Sequence, residues 1–195
     1  MKLTDKTYLA VRDDIFNAKY RPNELITERS IAEKYGISKL TAGEVLHRLC
    51  GEGHLTSYPR SGYMVTTLTR EEISQITKIR LVLESLVLEE ICSSASDEDI
   101  EGLMKLAEEK PEKEKNTSLS NREFHIAMAA LTKNRFLEKL IEDIYGTLSR
   151  VDLVADSAIG NWQREHIEIV KALSKRDLQA AKEHLKMDLD RAVTE

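Results

Sequence analysis

Cysteine, aromatic residues and long apolar runs are all scarce in this chain, and each scarcity narrows what it can be. The two cysteines, Cys50 and Cys92, lie far apart without metal-type spacing. That excludes a disulfide framework and reads as two small hydrophobes in a reducing compartment. The first twenty residues scatter Lys2, Asp5, Lys6, Arg12, Asp13 and Asp14 among the apolar positions, so no signal-peptide core can be drawn there. No apolar run approaches the roughly twenty residues that a bilayer crossing requires. A cytoplasmic protein with no membrane partner is expected. Aromatics are 5% of the chain and charged residues 32%, a balance that favours helices with solvated outer faces. A glycine-rich phosphate loop, a nucleophile elbow and an internal repeat are also missing, which leaves enzyme chemistry without a signature.

Charge is present but uneven. The net value is −5, yet residues 1–66 hold ten Lys/Arg against eight Asp/Glu, whereas the remainder holds nineteen against twenty-six. A mildly basic head is joined to an acidic body. So weak a basic excess does not support strong nonspecific DNA binding, and a DNA role therefore needs dimerisation or specific contacts.

In the head, Leu9, Val11, Ile15 and Phe16 recur at helical spacing and predict a helix over about 5–19, broken by Pro22 and Asn23. Thr27 is placed to cap a second helix, with Ile26 stapling onto Ile31, and Gly36 is placed to close it in a left-handed turn. Ser38 caps a third helix. Two short capped helices around a glycine turn make a helix-turn-helix. Ala42, Val45, Leu46 and Leu49 form the core-facing stripe of the third helix, which leaves Lys39, Leu40, Thr41, Gly43, His47 and Arg48 facing outward. After Gly53, HLTS and YMVTT alternate around the turn YPRSG as a β-hairpin. Such a wing can lay Arg60 and the Ser61 and Gly62 amides on the minor groove or the phosphates. The candidate DNA contacts are therefore Thr27 and Arg29 at the second helix, Ser38 and the six outward residues of the third, and Arg60, Ser61 and Gly62 in the wing.

The runs LITERSIAEKYGIS, EVLHRLCGEGHL and RSGYMV together resemble the winged-helix domain of GntR-type bacterial transcription regulators, over about residues 5–66. The departures fall where DNA is touched. The family usually reads Ser-Arg-Thr-Pro-Val-Arg-Glu-Ala-Leu at the start of the third helix, and this chain reads SKLTAGEVL. Lys39 keeps a charge but loses the guanidinium fork that reads guanine, and so suits a phosphate. Leu40 suits a thymine methyl. Gly43 stands where a second arginine is expected and costs the helix about 1 kcal/mol relative to alanine. Either the backbone approaches DNA closely there or a contact has been lost.

From Thr69 the chain is nearly all helix. Ile73, Ile76, Ile79, Leu83, Val87 and Ile91 line one face of a long first helix. Further helices are predicted over about 96–109, 118–132, 135–155, 160–175 and 177–193, with PEKEKNT as a charged loop. The markers RLVLE, SDEDIEGL, EFHIAMA, KNRFLEKL and EHIEIVKALSKRDLQAAKEHL, in that order, resemble the all-helical FadR C-terminal-type (FCD) effector domain over about 70–193. The expected architecture is mostly α: a winged helix-turn-helix of three helices and a small β-hairpin wing over 1–68, then an all-α antiparallel bundle over 69–195 that binds effector and dimerises.

The family bundle usually holds a divalent metal through an Asp and three His. Carried onto this chain, the resemblance puts Asn121, His125, His166 and Asp188 at those positions. A carboxylate is lost at 121 and another appears at 188. With fewer imidazoles the set is less selective for zinc and nickel and relatively more tolerant of manganese or magnesium. Periodicity independently turns these groups inward. His125 lines up with Met128 and Ala129, His166 with Ile169, Val170 and Leu173, and Asp188 with Ala181, Leu185 and Ala192. A carboxylate on an apolar stripe is costly unless paired or metal-bound. The competing reading is a pair of hydrogen-bonded core histidines, with Asp188 paired to His184 or Arg164. A bound metal with open positions can take a carboxylate effector, and Arg80, Arg150 and Arg164 are candidates to hold another of its oxygens.

Three functions are consistent with this reading. The first is a non-enzymatic DNA-binding regulator, a homodimeric repressor on a palindromic operator, controlled by a small organic acid. The second is an interaction protein with a weakened reading head. The third is a metal-dependent enzyme, which leaves the head unexplained and offers no general base.

Overall fold

The computed structural model describes residues 2–21, 24–109, 117–149 and 162–194. The chain divides into two compact units, the first of Met1–Leu68 together with a short stretch that begins at Gly146, the second of Thr69–Tyr145 and the C-terminal part of the chain.

In the first unit the chain runs α1 (Leu3–Phe16), β1 (Leu25–Ile26), α2 (Glu28–Tyr35), α3 (Lys39–Gly51), β2 (Leu55–Tyr58) and β3 (Gly62–Val65). The local signals act as their chemistry requires. Thr27 Oγ1 accepts from the Ser30 amide at 3.0 Å while Ser30 Oγ accepts from the Thr27 amide at 3.1 Å, a reciprocal cap on α2. Gly36 closes α2 at φ 64, a left-handed turn that costs glycine nothing in sterics. Ser38 Oγ accepts from the Thr41 amide at 3.1 Å and starts α3. The core gathers Val11 and Ile15 from α1, Ile31 from α2, and Ala42, Val45, Leu46 and Leu49 from α3, each at most 1% exposed. Burying each of the larger aliphatic side chains contributes roughly 1.5–3 kcal/mol. Asp14 fastens the rim, accepting from Lys19 at 2.7 Å and from the Tyr35 hydroxyl at 2.5 Å, with Lys34 at 2.9 Å.

The wing is a three-stranded antiparallel sheet of order β1-β3-β2, wider than the expected hairpin. Leu25 pairs with Met64 and Ile26 with Tyr63, while β2 pairs Leu55 with Val65 through Tyr58 with Gly62. This pairing gives Gly62 a structural duty: at φ 138, a Cβ there would lie 2.5 Å from the Ile26 carbonyl oxygen.

The second unit contains α4 (Arg70–Ser94), α5 (Asp97–Glu108), α6 (Thr117–Ala130), α7 (Arg135–Leu148) as far as Tyr145, α8 (Trp162–Ser174) and α9 (Leu178–Thr194). Thr69 and Ser96 cap α4 and α5 with reciprocal boxes. Helix α4 packs against α6, α8 and α9, and α8 against α5 and α9. The expected continuation of α7 to about residue 155 runs outside the described residues. Among the described residues, no helix is long and apolar enough to cross a membrane.

The buried face of α4 differs from the one the periodicity predicts. Thr77, Arg80, Glu84, Val87, Leu88 and Ile91 are buried, whereas Ile79 is 53% exposed and Val82 and Leu86 are also exposed. The apolar count alone favoured Ile73, Ile76, Ile79 and Leu83. The true inner stripe contains a charged pair whose members satisfy each other, and that pair is the entry to the site.

Candidate functional site

Three helices converge on a polar cluster inside the second unit. His125 comes from α6, His166 from α8 and Asp188 from α9, at 0%, 0% and 7% exposure. One ligand atom from each lies within 4.8 Å of the others. His125 Nε2 stands 3.2 Å from Asp188 Oδ2 and 3.2 Å from His166 Nε2, and His166 Nε2 stands 3.7 Å from Asp188 Oδ1. The inward direction expected for all three is thus the observed one. Asp188 pairs with neither His184 nor Arg164: His184 is engaged by Glu165 at 2.8 Å, and Arg164 is exposed.

Behind His125 stands a group that the sequence did not flag as functional. Glu84, fully buried on α4, brings Oε2 to 2.5 Å from His125 Nδ1. Its other oxygen accepts from Arg80 Nε at 3.0 Å and from the Tyr145 hydroxyl of α7 at 3.2 Å. Arg80 also bonds the Tyr145 hydroxyl and lies over its ring at 4.2 Å. A carboxylate on one imidazole nitrogen fixes the tautomer and turns the other nitrogen toward the cluster. The Phe124 ring stacks on His166 at 3.8 Å, and Trp162 lies 4.9 Å from it, so the His166 imidazole is held by rings.

The electrostatics follow from this packing. Burial works against charge on every member. For Glu84 the neighbouring His125 and Arg80 outweigh that penalty and hold its pKa down, and His125 does the same for Asp188. His125 is held above its ordinary value because Glu84 and Asp188 overcome its own burial. His166 is pushed down to about 3, by burial first and then by His125, and so is a neutral imidazole, the form that ligates a metal. Its Nδ1 is buried without a hydrogen-bond partner, as is Asn121 Oδ1 one turn before His125 on α6.

The anionic-ligand candidates separate. Arg80 is 3% exposed and committed to Glu84 and Tyr145, which makes it a clamp on the carboxylate behind His125 rather than a free hand for a ligand. Arg164 is on the exposed side of α8. Arg150 lies outside the described residues.

On the first unit, Lys39, Leu40, His47 and Arg48 are exposed on α3, with Thr41 and Gly43 half-buried beside them. Leu40, 76% exposed, is unpartnered apolar surface in the middle of this face. The Ser38 hydroxyl is occupied by its capping role and lies 2.9 Å from Thr41 Oγ1. Thr27 is similarly the cap of α2. Arg29 pairs with Glu33 at 2.7 Å. Arg48 folds back: its guanidinium lies 3.6 Å from the Tyr8 ring centroid and 3.2 Å from Glu52. Arg60, at φ 66, and Ser61 form the exposed tip of the wing, and Gly62 begins β3.

A winged helix-turn-helix followed by a helical bundle with a buried His/Asp cluster defines a two-part transcription regulator. The chain belongs to the GntR family of bacterial regulatory proteins, whose family model matches residues 3–65, and carries an FCD domain, whose model matches residues 75–191. An uncharacterized HTH-type transcriptional regulator of Bacillus subtilis, YdhC, is 29% identical over 187 residues, covering 91% of this chain and 84% of its own. The Nta operon transcriptional regulator of Aminobacter aminovorans is 27% identical over 161 residues, covering 80% and 77%. The solved structure of E. coli McbR/YncC shares the fold, with a TM-score of 0.77 over 97% of this chain and 94% of that one at 17% identity. The protein is a DNA-binding regulator of transcription and not an enzyme.

Proposed function

We propose that this regulator is a cytoplasmic homodimeric repressor that reads a palindromic operator and is released by a small carboxylate bound, through a divalent metal, at His125, His166 and Asp188. The observation that carries the proposal is the buried convergence of those three donors, with Glu84 fixing His125 from behind. The donor set fits a metal. His166 is neutral, His125 presents Nε2, and Asp188 supplies a charged oxygen. Two imidazoles and a carboxylate fill three positions and leave others open, and two buried polar atoms, His166 Nδ1 and Asn121 Oδ1, still lack partners. The mixed nitrogen and oxygen set favours manganese, magnesium or zinc over thiophilic ions. A bound dication would supply Lewis-acid attraction for a carboxylate. The residues themselves hold the donors in place and exclude bulk water.

Support for a second copy comes from α4, whose outer face presents Ile79, Val82 and Leu86 to solvent at helical spacing. In a dimer, two α3 helices address half-sites about one turn, roughly 34–36 Å, apart. A ligand shifts operator affinity only as far as it binds one arrangement better than the other. Lys39 and Arg60 are assigned to phosphates, and Leu40 and His47 to base edges.

The test is selection of genomic fragments by the untagged protein, then footprinting with and without manganese, zinc and a panel of small carboxylates. The expected result is a two-fold symmetric footprint that weakens only when metal and acid are both present. Specific binding without stoichiometric metal uptake would overturn the metal-borne release. The absence of any fragment bound above background would overturn the operator reading.

A further inference from the structure

Glu28 gives position 43 a physical account. The glycine costs α3 helix propensity, yet the space above it is filled: a Cβ on Gly43 would lie 3.1 Å from Glu28 Oε1 and 3.3 Å from its Cδ. Glu28 is the first residue of α2, and its side chain is exposed. Gly43 lies one turn after Lys39 and Leu40 and one turn before His47, so the Glu28 carboxylate rests in the middle of the outer face of α3. Tyr63 of β3 lies near it: the Tyr63 phenol is pushed up, by burial first and then by the negative charge of Glu28. An acceptor-only group therefore occupies the ground that a side chain at position 43 would otherwise cover.

We propose that Glu28 is a specificity-determining residue that reads cytosine in the major groove, a role that rests on the operator-binding reading above. A carboxylate can only accept, and the donors on base edges are cytosine N4 and adenine N6. Adenine sets its N7 acceptor beside that donor, facing the second carboxylate oxygen, whereas cytosine does not. Guanine and thymine offer acceptors at the same place and are repelled. The phosphates are repelled as well, so the residue lowers general affinity while raising discrimination, which is how a weakly basic head obtains specificity.

The experiment is selection from a randomised duplex library by wild type, Glu28→Gln and Glu28→Ala. Wild type is expected to prefer a C·G pair at one position of each half-site by about tenfold. Glu28→Gln, which keeps an acceptor and gains a donor, moves that preference toward adenine. Glu28→Ala flattens it while binding to unrelated DNA strengthens. Folded variants that retain the wild-type preference at every position overturn the role of Glu28 and leave the operator reading standing. A wild-type protein that enriches no sequence overturns both.

Discussion

Replacing Glu84 by leucine should destabilise the second unit severely, and the structure indicates by how much. Arg80 is 3% exposed and Glu84 0%. With the carboxylate gone, a guanidinium stays buried against Tyr145 without its paired carboxylate, and His125 loses its 2.5 Å acceptor. Breaking a buried pair from one side costs about 3–5 kcal/mol, against a total stability of about 5–15 kcal/mol for an ordinary domain. Replacing both partners, Arg80→Met with Glu84→Leu, removes the orphaned charge and should recover much of the loss, because well-packed apolar groups often substitute for a buried pair at little cost. The cycle should therefore show a coupling of at least about 2 kcal/mol. Trp162 is the sole tryptophan, 4.9 Å from the His166 ring, so its fluorescence during urea unfolding reports this unit. A single variant that loses less than about 1 kcal/mol, or a double variant whose loss is simply additive, would refute the claim that the pair is mutually dependent.

Two further outcomes follow from the first unit. Asp14 is buried, and although burial alone would raise its pKa, Lys19, Tyr35 and Lys34 bring it down to about 2 from 3.8. A depressed acid contributes stability above its unfolded pKa and loses it as pH falls through the folded value. Thermal melts should therefore show about 2 kcal/mol of stability disappearing between about pH 4 and pH 2, and Asp14→Asn should abolish that dependence. Gly43→Arg should bind nonspecific DNA more tightly, but with a gain in salt dependence well short of one full phosphate contact, because Glu28 pairs with the new guanidinium. The double variant with Glu28→Gln should restore the full slope of about one charge. Salt titrations of duplex binding check both, and a full-charge gain in the single variant would refute the placement of Glu28.

What could be read in advance was local. The caps at Thr27 and Ser38, the Gly36 turn and the Ala42, Val45, Leu46, Leu49 stripe depend on residues within a turn or two of each other, and local pattern finds them. The inward direction of His125, His166 and Asp188 was legible for the same reason, each sharing a helix face with buried aliphatics. Non-local pairing was not legible. The strand β1 is two residues long and exists only because Leu25 and Ile26 meet Met64 and Tyr63. Nor was the inner face of α4, because both of its faces carry aliphatics and hydrophobicity cannot rank a satisfied Arg80–Glu84 pair above exposed Ile79 and Val82. A usable signal was present: Thr77, Arg80, Glu84, Val87 and Ile91 follow helical spacing, with the charged pair at i and i+4. Tyr145, 61 residues from Glu84, left no such trace.

The exchange of ligands between positions 121 and 188 takes on meaning once Glu84 is included. Placing the cluster's carboxylate on α9 puts Asp188 on the far side of His125 from Glu84, so that one imidazole is addressed by a carboxylate at each nitrogen. Arg80 balances one of those two negative charges, and His166 is neutral, so Arg80, Glu84, His166 and Asp188 together carry a single net negative charge. An asparagine at 121 avoids adding a further negative charge to the cluster. In the proposed state a dication turns the balance to a single net positive charge, and a monocarboxylate returns it to zero. A buried site is least costly when its charges cancel. On this accounting the proposed metal and organic acid would stabilise each other in the bundle, and Asn121 with Asp188 keeps the same charge in a different arrangement.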